Sequence, residues 1–292
     1  MPSSLYSRPS AQKLAVIGDP ISHSLSPVLQ NFLIRHFAVP FTYEALHVRL
    51  ADLPAMMQRL RDGEFRGINV TIPHKQAVPP FLGEIDETAA RIGAVNTITV
   101  DNGKLFGYNT DVIGFRRSLE AANVSVEGKT VLVLGAGGAA RAVVFALLAR
   151  AGKFFLCNRS PARSEELMAT FAKYAADGQL LNVPWPHRSS WITTNVPDII
   201  VNATRLGMHP QIHESPLPKH VFAPNQVAVD LVYNPLQTAF LQAASTAGAK
   251  AINGLGMLIY QGVAALELWS KKPLDIREIY SNLESALRNA LK

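Results

Sequence analysis

Three features are scarce in this sequence: cysteine, charged side chains and long apolar runs. The 292 residues include one cysteine, Cys157, which excludes an internal disulfide framework and fits a reducing cytosol. The longest unbroken apolar run covers residues 142–149 and is far too short to cross a bilayer. The N-terminal segment MPSSLYSRPSAQK has no apolar h-region, so no secretory signal is expected. We therefore expect a cytoplasmic protein that does not bind a membrane.

The composition is that of a chain with a packed core. Hydrophobic residues make up 48% and charged residues 17%, which is typical of compact rather than disordered proteins. The length favours about two domains. The net charge of +6 comes from scattered Lys and Arg without long basic blocks or interleaved aromatics, so no nucleic-acid surface is expected. That charge indicates either an ordinary basic surface or a positive cleft for an anionic substrate and a phosphorylated cofactor.

The first third of the chain alternates strands and helices. LAVIG, FTYEALHV and GINVTIP are strand-like, and a short helix is predicted over DLPAMMQRLRDG. Another helix opens at Ser26-Pro27, with Ser26 as the predicted N-cap and Pro27 at the first helical position. VNTITV and LFGYN form a hairpin that turns at Asn102-Gly103. This pattern predicts a mostly parallel α/β unit with one antiparallel insertion.

The second part of the chain opens as a doubly wound sheet. After a helix over residues 112–122, SVEGKTVLVLGAGGAARAVVFALLARAGKFFLCNRS predicts a strand, a glycine-rich turn, a helix and a strand. DIIVNAT and QVAVDLVY are later strands, and residues 177–194 are predicted to be loop with one short strand. Further helices are predicted over residues 238–247, 257–269 and 275–290.

The turn in VLVLGAGGAAR matches the dinucleotide pattern G-x-G-x-x-A. Gly135 permits the tight turn, Gly137 allows a pyrophosphate to approach, and Ala140 allows the helix and strand to pack closely. The following helix N-terminus offers free N–H groups and a positive dipole to phosphate. A merely structural turn is the alternative, but the strand before it and the apolar helix after it favour cofactor binding.

The end of the next strand indicates which dinucleotide is bound. NAD enzymes usually carry an Asp or Glu there, which holds the ribose 2′-OH. This chain has neutral Asn158, then Arg159 and Ser160, with Arg163 one turn further on. Two guanidinium groups without a carboxylate suit a 2′-phosphate, so NADP is predicted over NAD. Solvated surface arginines are the alternative.

Small polar clusters follow several predicted strands of the first unit, where open α/β sheets bind ligands. They contribute Ser22, His23 and Ser24 in GDPISHSLSP, Asn69, Thr71 and Lys75 in NVTIPHK, Asn96 in AVNT, and Asn109 and Asp111 in GYNTD. Lys75 and Asp111 are the one possible acid/base pair for protonating an alkoxide. Turn and capping residues and a surface lysine are the alternatives. His74 is interpreted as structural. No Cys/His cluster has metal-ligand spacing, so no metal is expected.

These motifs occur in one order along nearly the whole chain: GDPISHSLSP, NVTIPHK, GAVNT, GYNTD, GAGGAAR, NRS, NAT, DLVYNPLQTAFL and NGLGMLIYQG. In this respect the chain resembles the shikimate dehydrogenase family. The resemblance implies a reversible NADP-dependent reduction of 3-dehydroshikimate to shikimate in aromatic amino-acid (chorismate) biosynthesis. It implies an α/β substrate domain over residues 1–110, completed by helices in 253–292, and a Rossmann-type NADP domain over 111–252. The active site would lie in the interdomain cleft, in a monomer or a homodimer.

The resemblance also implies a role for individual residues. Lys75 would be the main proton donor or acceptor, and Asp111 would bind hydroxyls and orient it. The other substrate contacts would be Ser22 and Ser24 for the carboxylate, with Thr71, Asn96, Tyr233 and Gln261. The cofactor site would include Gly135 at the turn. Its contacts would be Gly137, Gly138 and Ala139 for the pyrophosphate, Asn158, Arg159, Ser160 and Arg163 for the 2′-phosphate, and Thr204, Leu231, Gly254 and Met257 for the ribose and nicotinamide. By pattern alone, Tyr233 could be a turn aromatic, Gln261 an exposed helix residue and Met257 a core residue.

Two departures from the family pattern bear on the cofactor. Arg205 stands where the family usually has Ser, and this added cation either binds phosphate or points to solvent. In the quinate/shikimate branch an acid often follows the arginine and allows NAD, whereas this chain has Ser160. A quinate/shikimate dehydrogenase with relaxed cofactor use is the first alternative, and a non-catalytic dinucleotide-binding protein is the second. Methylene-folate dehydrogenases lack the SHS and NVTIPHK pattern.

Overall fold

The computed structural model describes residues 11–291, and these residues form two six-stranded sheets with helices around them. Residues 1–10 and Lys292 lie outside the described part, and so does most of the segment in which no secretory signal is expected. Within residues 11–291, no helix is long and apolar enough to cross a membrane.

The first sheet is built from the N-terminal strands. They are β1 (Gln12–Gly18), β2 (Phe41–His47), β3 (Gly67–Val70), β4 (Glu84–Ile85), β5 (Thr97–Asp101) and β6 (Lys104–Tyr108). Their spatial order is β2-β1-β3-β5-β6-β4, and only β5 runs antiparallel to its neighbours. The β5–β6 hairpin turns at Asn102 and Gly103, which have φ angles of 48° and 74°, as a type I′ turn requires. The predicted parallel unit with one antiparallel insertion is confirmed.

Three helices accompany this sheet: α1 (Ser26–His36), α2 (Leu53–Arg61) and α3 (Glu87–Ile92). The predicted N-cap of α1 is wrong by one position, because Ser26 is already helical and Leu25 precedes it without a side-chain cap. Instead, the Ser24 hydroxyl accepts a hydrogen bond from the Ser26 N–H at 3.3 Å. The sequence pattern did not predict α3, which is only six residues long and is capped by the Asp86 carboxylate.

The second sheet is entirely parallel. Its strands are β7 (Thr130–Leu134), β8 (Lys153–Cys157), β9 (Leu180–Asn182), β10 (Ile199–Asn202), β11 (Val227–Asp230) and β12 (Lys250–Ile252). Their order is β12-β11-β10-β7-β8-β9, so the chain winds in both directions from β7. This is the doubly wound dinucleotide-binding order, whose switch point lies beside the first strand. The predicted fold class is confirmed.

Seven further helices follow along the described chain. They are α4 (Asp111–Ala121), α5 (Gly138–Leu147), α6 (Pro161–Phe171), α7 (Arg188–Asn195), α8 (Ala239–Thr246), α9 (Leu255–Ser270) and α10 (Tyr280–Ala290). The expectation of loop up to residue 194 is wrong, because α7 forms there and buries Ile192 in the core of the second sheet. Helix α10 begins at Tyr280 rather than near residue 275.

The C-terminal helices return to the first sheet. α9 and α10 share a core with α1, and the Trp269 indole donates a hydrogen bond to the Ile98 carbonyl at 3.0 Å. α4 packs against α9 and also against α5, and its residue Phe115 is buried in the core of the second sheet. α4 and α9 therefore connect the two sheets. The domain boundaries at 110/111 and 252/253 remain a prediction.

Candidate active site

Lys75 and Asp111 form an ion pair. Lys75 lies in the short 3-10 turn after β3, and Asp111 is the first residue of α4, directly after the segment that follows β6. The Lys75 Nζ and Asp111 Oδ2 atoms are 2.5 Å apart, and the two side chains are only 15% and 6% exposed. The structure thus brings together two residues that are 36 positions apart in sequence.

Asn96 holds the other oxygen of this carboxylate. Its Nδ2 donates to Asp111 Oδ1 at 2.9 Å and to Thr110 Oγ1 at 3.0 Å, while its Oδ1 accepts from the Thr110 N–H at 2.7 Å. Asn109 adds a bond in which its Oδ1 accepts from the Asp111 N–H at 3.1 Å. Both carboxylate oxygens are therefore engaged, at a helix N-terminus whose dipole favours an anion.

His74, next to Lys75, is completely buried. Its Nε2 lies 2.6 Å from the Val48 carbonyl oxygen, an arrangement in which the ring donates a hydrogen bond to the loop after β2. The interpretation of His74 as a structural residue is confirmed. Thr71 begins the same turn, and its carbonyl accepts the His74 N–H at 2.8 Å while its side chain stays partly exposed.

Hydroxyl groups gather where β1 leads into α1. Ser22 is exposed and Ser24 partly exposed, and the Tyr233 phenol lies close enough to Ser24 for that side chain to affect its pKa. Burial raises the pKa of Tyr233, and the nearby Ser24 side chain and Leu25 backbone oppose that rise. The structure places Tyr233 against the serine loop, so it is more than the turn aromatic of the alternative interpretation.

Gln261 lies on α9 where that helix meets α4. A Cβ on Gly114, one turn after Asp111, would lie 2.7 Å from the Gln261 Cβ, so the two helices are in close contact there. The Gln261 Nε2 donates to the Leu258 carbonyl of its own helix at 2.9 Å. Gln261 is partly exposed at the α4–α9 contact, on the same helix pair as Asp111.

The glycine-rich turn reaches this ion pair from the second sheet. Gly135 has a φ angle of +114°, which an L side chain rarely adopts, and its N–H donates to the Cys157 carbonyl at 2.8 Å. α5 then begins at Gly138, and a Cβ there would lie 3.1 Å from the Lys75 Cβ. The start of the cofactor-type helix therefore touches the stem of the candidate catalytic lysine. Ala140 is buried at the helix–strand contact, as predicted.

The residues predicted to line the ribose and nicotinamide occupy different environments. Thr204 and Leu231 are partly exposed, and the Gly254 N–H donates to the Val232 carbonyl at 3.1 Å. Met257 is only 8% exposed and packs into the core around the second sheet. Its contact with a nicotinamide stays a prediction.

Comparisons with known proteins identify the family to which this chain belongs. A model described as the shikimate dehydrogenase substrate binding domain matches residues 16–98, and one described as the shikimate 5′-dehydrogenase C-terminal domain matches residues 254–282. The shikimate dehydrogenase (NADP(+)) of Moorella thermoacetica is 44% identical over 95% of this chain and 93% of that protein. The chain belongs to the shikimate dehydrogenase family. The Geobacillus kaustophilus enzyme of that name is 38% identical over 94% of this chain and 98% of its own length.

Solved structures of the family superpose on the whole fold. A shikimate dehydrogenase in complex with NADP+ has a TM-score of 0.89 and 35% identity, covering 98% of this chain and 97% of that one. The Thermus thermophilus shikimate 5-dehydrogenase in complex with NADP(H) and shikimate has a TM-score of 0.83 and 39% identity, covering 96% of this chain and 99% of that one.

The residues around the glycine-rich turn fit the NADP that this family uses. Among residues 11–291 no side chain caps α5, so the amide groups of the partly exposed Gly138 and Ala139 are open to a ligand. Apart from Gly137 and its chain neighbours, no atom of the described residues lies within 4 Å of a Cβ built on Gly137, so there is space above the turn. Asn158 donates to the Ser160 carbonyl at 2.9 Å and thereby shapes the loop after β8.

The same loop supplies unpaired positive charge. Arg159 and Arg163 are exposed, and neither guanidinium has a hydrogen-bond or ion-pair partner among residues 11–291. A dianionic 2′-phosphate is the kind of group that two free guanidinium forks bind.

Sequence reasoning missed a buried acid next to the cofactor loops. Asp230 is fully buried and accepts hydrogen bonds from Asn202 Nδ2 at 2.9 Å, the Val232 N–H at 3.0 Å and Thr238 Oγ1 at 2.6 Å. Burial raises its pKa to about 7, against the opposing effect of these bonds. Asn202 in turn holds Thr204 by two bonds. The signal available in the sequence for this residue was an acidic side chain at the end of an apolar strand.

Tyr43 is a second residue that the sequence pattern did not single out. Its hydroxyl donates to Asn69 Oδ1 at 2.6 Å, and the nearby Ser26 side chain partly opposes the effect of burial on its pKa. Tyr233 lies close enough for its charge to act on this phenol, and burial raises the pKa of Tyr43 well above its ordinary value. Tyr43 is thus a residue of β2 that lies beside the hydroxyl cluster.

Proposed function

We propose that this chain catalyses the reversible, NADP-dependent reduction of 3-dehydroshikimate to shikimate in aromatic amino-acid (chorismate) biosynthesis. The observation that carries the proposal is the contact between the Lys75–Asp111 pair and Gly138. A proton-transfer group and the start of a dinucleotide-binding helix meet at one point, as a dehydrogenase needs.

Lys75 would protonate the C3 oxygen during reduction and remove that proton during oxidation. NADP held beside this pair would supply the chemistry of hydride transfer at C3, in either direction. Asp111 would hold the ammonium group in place and accept a bond from a ring hydroxyl. Because Asn96 already engages one carboxylate oxygen, the carboxylate is fixed in orientation before substrate arrives. A fixed donor at the developing alkoxide is the arrangement that lowers the barrier.

The hydroxyl cluster would bind the carboxylate end of the substrate. Ser22 and Ser24 offer hydroxyl donors near the N-terminus of α1, and the Tyr233 phenol lies close to Ser24. Thr71 lies in the turn that carries Lys75, Asn96 bonds to Asp111, and Gln261 lies on α9 at its contact with α4, so these three residues would contact the ring oxygens. The substrate would then lie across the edge of the first sheet, in a cleft between the two sheets.

The cofactor would lie along the carboxyl edge of the second sheet. Its pyrophosphate would take the amide groups of Gly137, Gly138 and Ala139 above the turn at Gly135. The 2′-phosphate end would be bound by Asn158, Arg159, Ser160 and Arg163, and the ribose and nicotinamide end by Thr204, Leu231, Gly254 and Met257. The free guanidinium groups of Arg159 and Arg163 support the phosphate contact.

To test this proposal, the rate of shikimate oxidation is measured with NADP and with NAD in parallel, and quinate is assayed as a second substrate. We expect turnover with shikimate and NADP, a weaker response to NAD, and a specific loss of NADP affinity in Arg159→Ser. Equal use of NAD and quinate would indicate the quinate/shikimate branch, and no turnover with either would indicate a non-catalytic binding protein.

Lys75→Ala tests the proton donor itself. We expect kcat to fall by about 10²–10⁴, the usual contribution of general acid–base catalysis, with a mild change in shikimate affinity. Near-normal turnover would contradict the role of Lys75. Shikimate affinity measured by calorimetry on the inactive variant separates lost chemistry from lost binding.

The setting of the enzyme is part of the same proposal. We propose a cytoplasmic monomer or homodimer, as suits a biosynthetic enzyme acting on a small-molecule substrate. The single cysteine, Cys157, is free and buried, and burial raises its pKa to about 12, so it is a poor nucleophile. Size-exclusion chromatography with light scattering would decide between the two oligomeric states.

A further inference from the structure

Arg205 is a third free cation at the carboxyl edge of the second sheet. It is exposed, and its guanidinium has no hydrogen-bond or ion-pair partner among residues 11–291. The same combination of exposure and missing partner occurs at Arg159 and Arg163.

The sheet register places Arg205 opposite Arg159 across the glycine-rich turn. The last residue of β7, Leu134, pairs with Cys157 on β8 and with Asn202 on β10. Arg159 follows the end of β8 by two residues, and Arg205 follows the end of β10 by three. Since neighbouring strands are about 4.8 Å apart, the two loops flank Gly135 with about 10 Å between their strands.

The loop that carries Arg205 lies against the turn and is held firmly. A Cβ on Gly135 would lie 2.9 Å from the Ala203 oxygen and 3.3 Å from the Thr204 methyl carbon. Thr204 Oγ1 donates to Asn202 Oδ1 at 2.7 Å and accepts the Leu206 N–H at 3.1 Å. A tight turn beside Gly135 therefore fixes the backbone immediately before Arg205.

We propose that Arg205 binds the diphosphate of the cofactor from the β10 side, opposite the N-terminus of α5. The proposal rests on the proposed function, since it needs a dinucleotide above the turn. The 2′-phosphate is bound at the end of β8, where Arg159 and Arg163 lie, whereas the diphosphate sits over the turn itself. Arg205 therefore adds affinity that NADP and NAD share, and it does not select between them.

The experiment measures the dissociation constants of oxidised NADP and NAD by calorimetry, without turnover, for wild type and variants. Arg205→Ser removes the guanidinium and keeps a small polar side chain, so it should weaken the binding of both cofactors by the same factor, about tenfold. Arg205→Lys keeps the charge but loses the planar fork, so it should give a smaller loss. Arg159→Ser should weaken NADP alone.

Lys153→Ser is the matched control for the loss of one positive charge. Lys153 is exposed, has no side-chain partner among the described residues and begins β8, at the opposite edge of the same sheet. It should leave both dissociation constants unchanged. The slope of log affinity against log salt should also become shallower in Arg205→Ser and stay constant in Lys153→Ser.

Each contrary outcome overturns the assignment. A loss confined to NADP would move Arg205 to the 2′-phosphate, and unchanged binding of both cofactors would leave it in solvent. An equal loss of cofactor affinity in Lys153→Ser would show that the effect of Arg205→Ser comes from net charge alone. If wild type binds neither cofactor, the proposed function fails, and the proposal for Arg205 fails with it. Should Arg205→Ser not fold, as judged by circular dichroism, an unchanged affinity in Arg205→Lys and Arg205→Gln would overturn the proposal.

Discussion

Replacing Gly138 by alanine should reduce activity without reducing stability. A Cβ at this first residue of α5 would lie 3.1 Å from the Lys75 Cβ and 3.3 Å from its Cδ. Non-bonded carbon atoms prefer about 3.5–4.0 Å, so the lysine stem or the helix must give way by roughly 0.5 Å. Because the Lys75 Nζ is tied to Asp111 at 2.5 Å, the movement strains the ion pair as well.

The expected magnitude follows from that displacement. Misplacing a reacting group by about 1 Å can cost about 10²-fold in rate, so roughly 0.5 Å corresponds to about a tenfold lower kcat. Alanine is the better helix former, so the unfolding free energy should stay constant or rise by up to about 1 kcal/mol. The assay is the initial rate of shikimate oxidation with both substrates saturating, alongside the thermal unfolding midpoint.

Gly256→Ala is the matched control, since Gly256 also lies in the first turn of a helix, α9. A Cβ there would meet Ser118 at 3.4 Å, an ordinary contact, so kcat should stay within twofold of wild type. The reasoning is refuted if Gly138→Ala keeps kcat within twofold. A loss of kcat that is matched by a fall in the unfolding midpoint would also refute it.

Three further variants probe separate contacts. Asp111→Asn removes the partner of Lys75 and should lower kcat by about 10²–10⁴, so steady-state rates near wild type would contradict the pairing. Burial raises the pKa of Asp230 to about 7 from its ordinary 3.8, so its stabilising contribution is present below pH about 4 and is lost as the pH rises to about 7. The urea concentration at the unfolding midpoint should therefore fall more steeply between pH about 4 and about 7 in wild type than in Asp230→Asn. Parallel plots of this midpoint against pH would contradict the prediction. His209→Ala loses the ring contact with His23 at 4.7 Å, next to Ser22 and Ser24, and should raise the KM for shikimate about 2–10-fold with kcat retained; an unchanged KM would show that the contact does not support the serine loop.

Elements with a strong local signal were predictable from sequence. The β7–turn–α5–β8 unit follows from a β-branched strand, glycines that allow a φ of +114°, and an apolar helix. The hairpin follows from Asn102 and Gly103, which adopt positive φ angles easily. Both signals lie within a few residues, so no knowledge of tertiary packing is needed to use them.

Features decided by tertiary packing were not predictable in this way. α3 and α7 are too short for a helical period to stand out, and the latter is held by the burial of Ile192. The predicted start of α1 was wrong by one residue because Ser24, rather than Ser26, bonds to the helix start. The sequence pattern does not distinguish Asp230 from the other acidic residues. Only the fold shows that three hydrogen-bond donors surround it.

The meeting of Lys75, Asn96 and Asp111 depends on the one antiparallel strand of the first sheet. Lys75 follows β3 and Asp111 follows β6, and β5 lies between these two parallel strands. Because β5 runs the other way, its first residue lies at the edge where β3 and β6 end, and Asn96 immediately precedes it. A parallel β5 would have placed Asn96 at the far edge, about 16 Å away for a strand of this length. The antiparallel insertion therefore allows the residue before a central strand to hold the carboxylate of the acid/base pair. In this way Asn96 joins Lys75 and Asp111 as a third polar side chain at the ligand edge of a mostly parallel sheet.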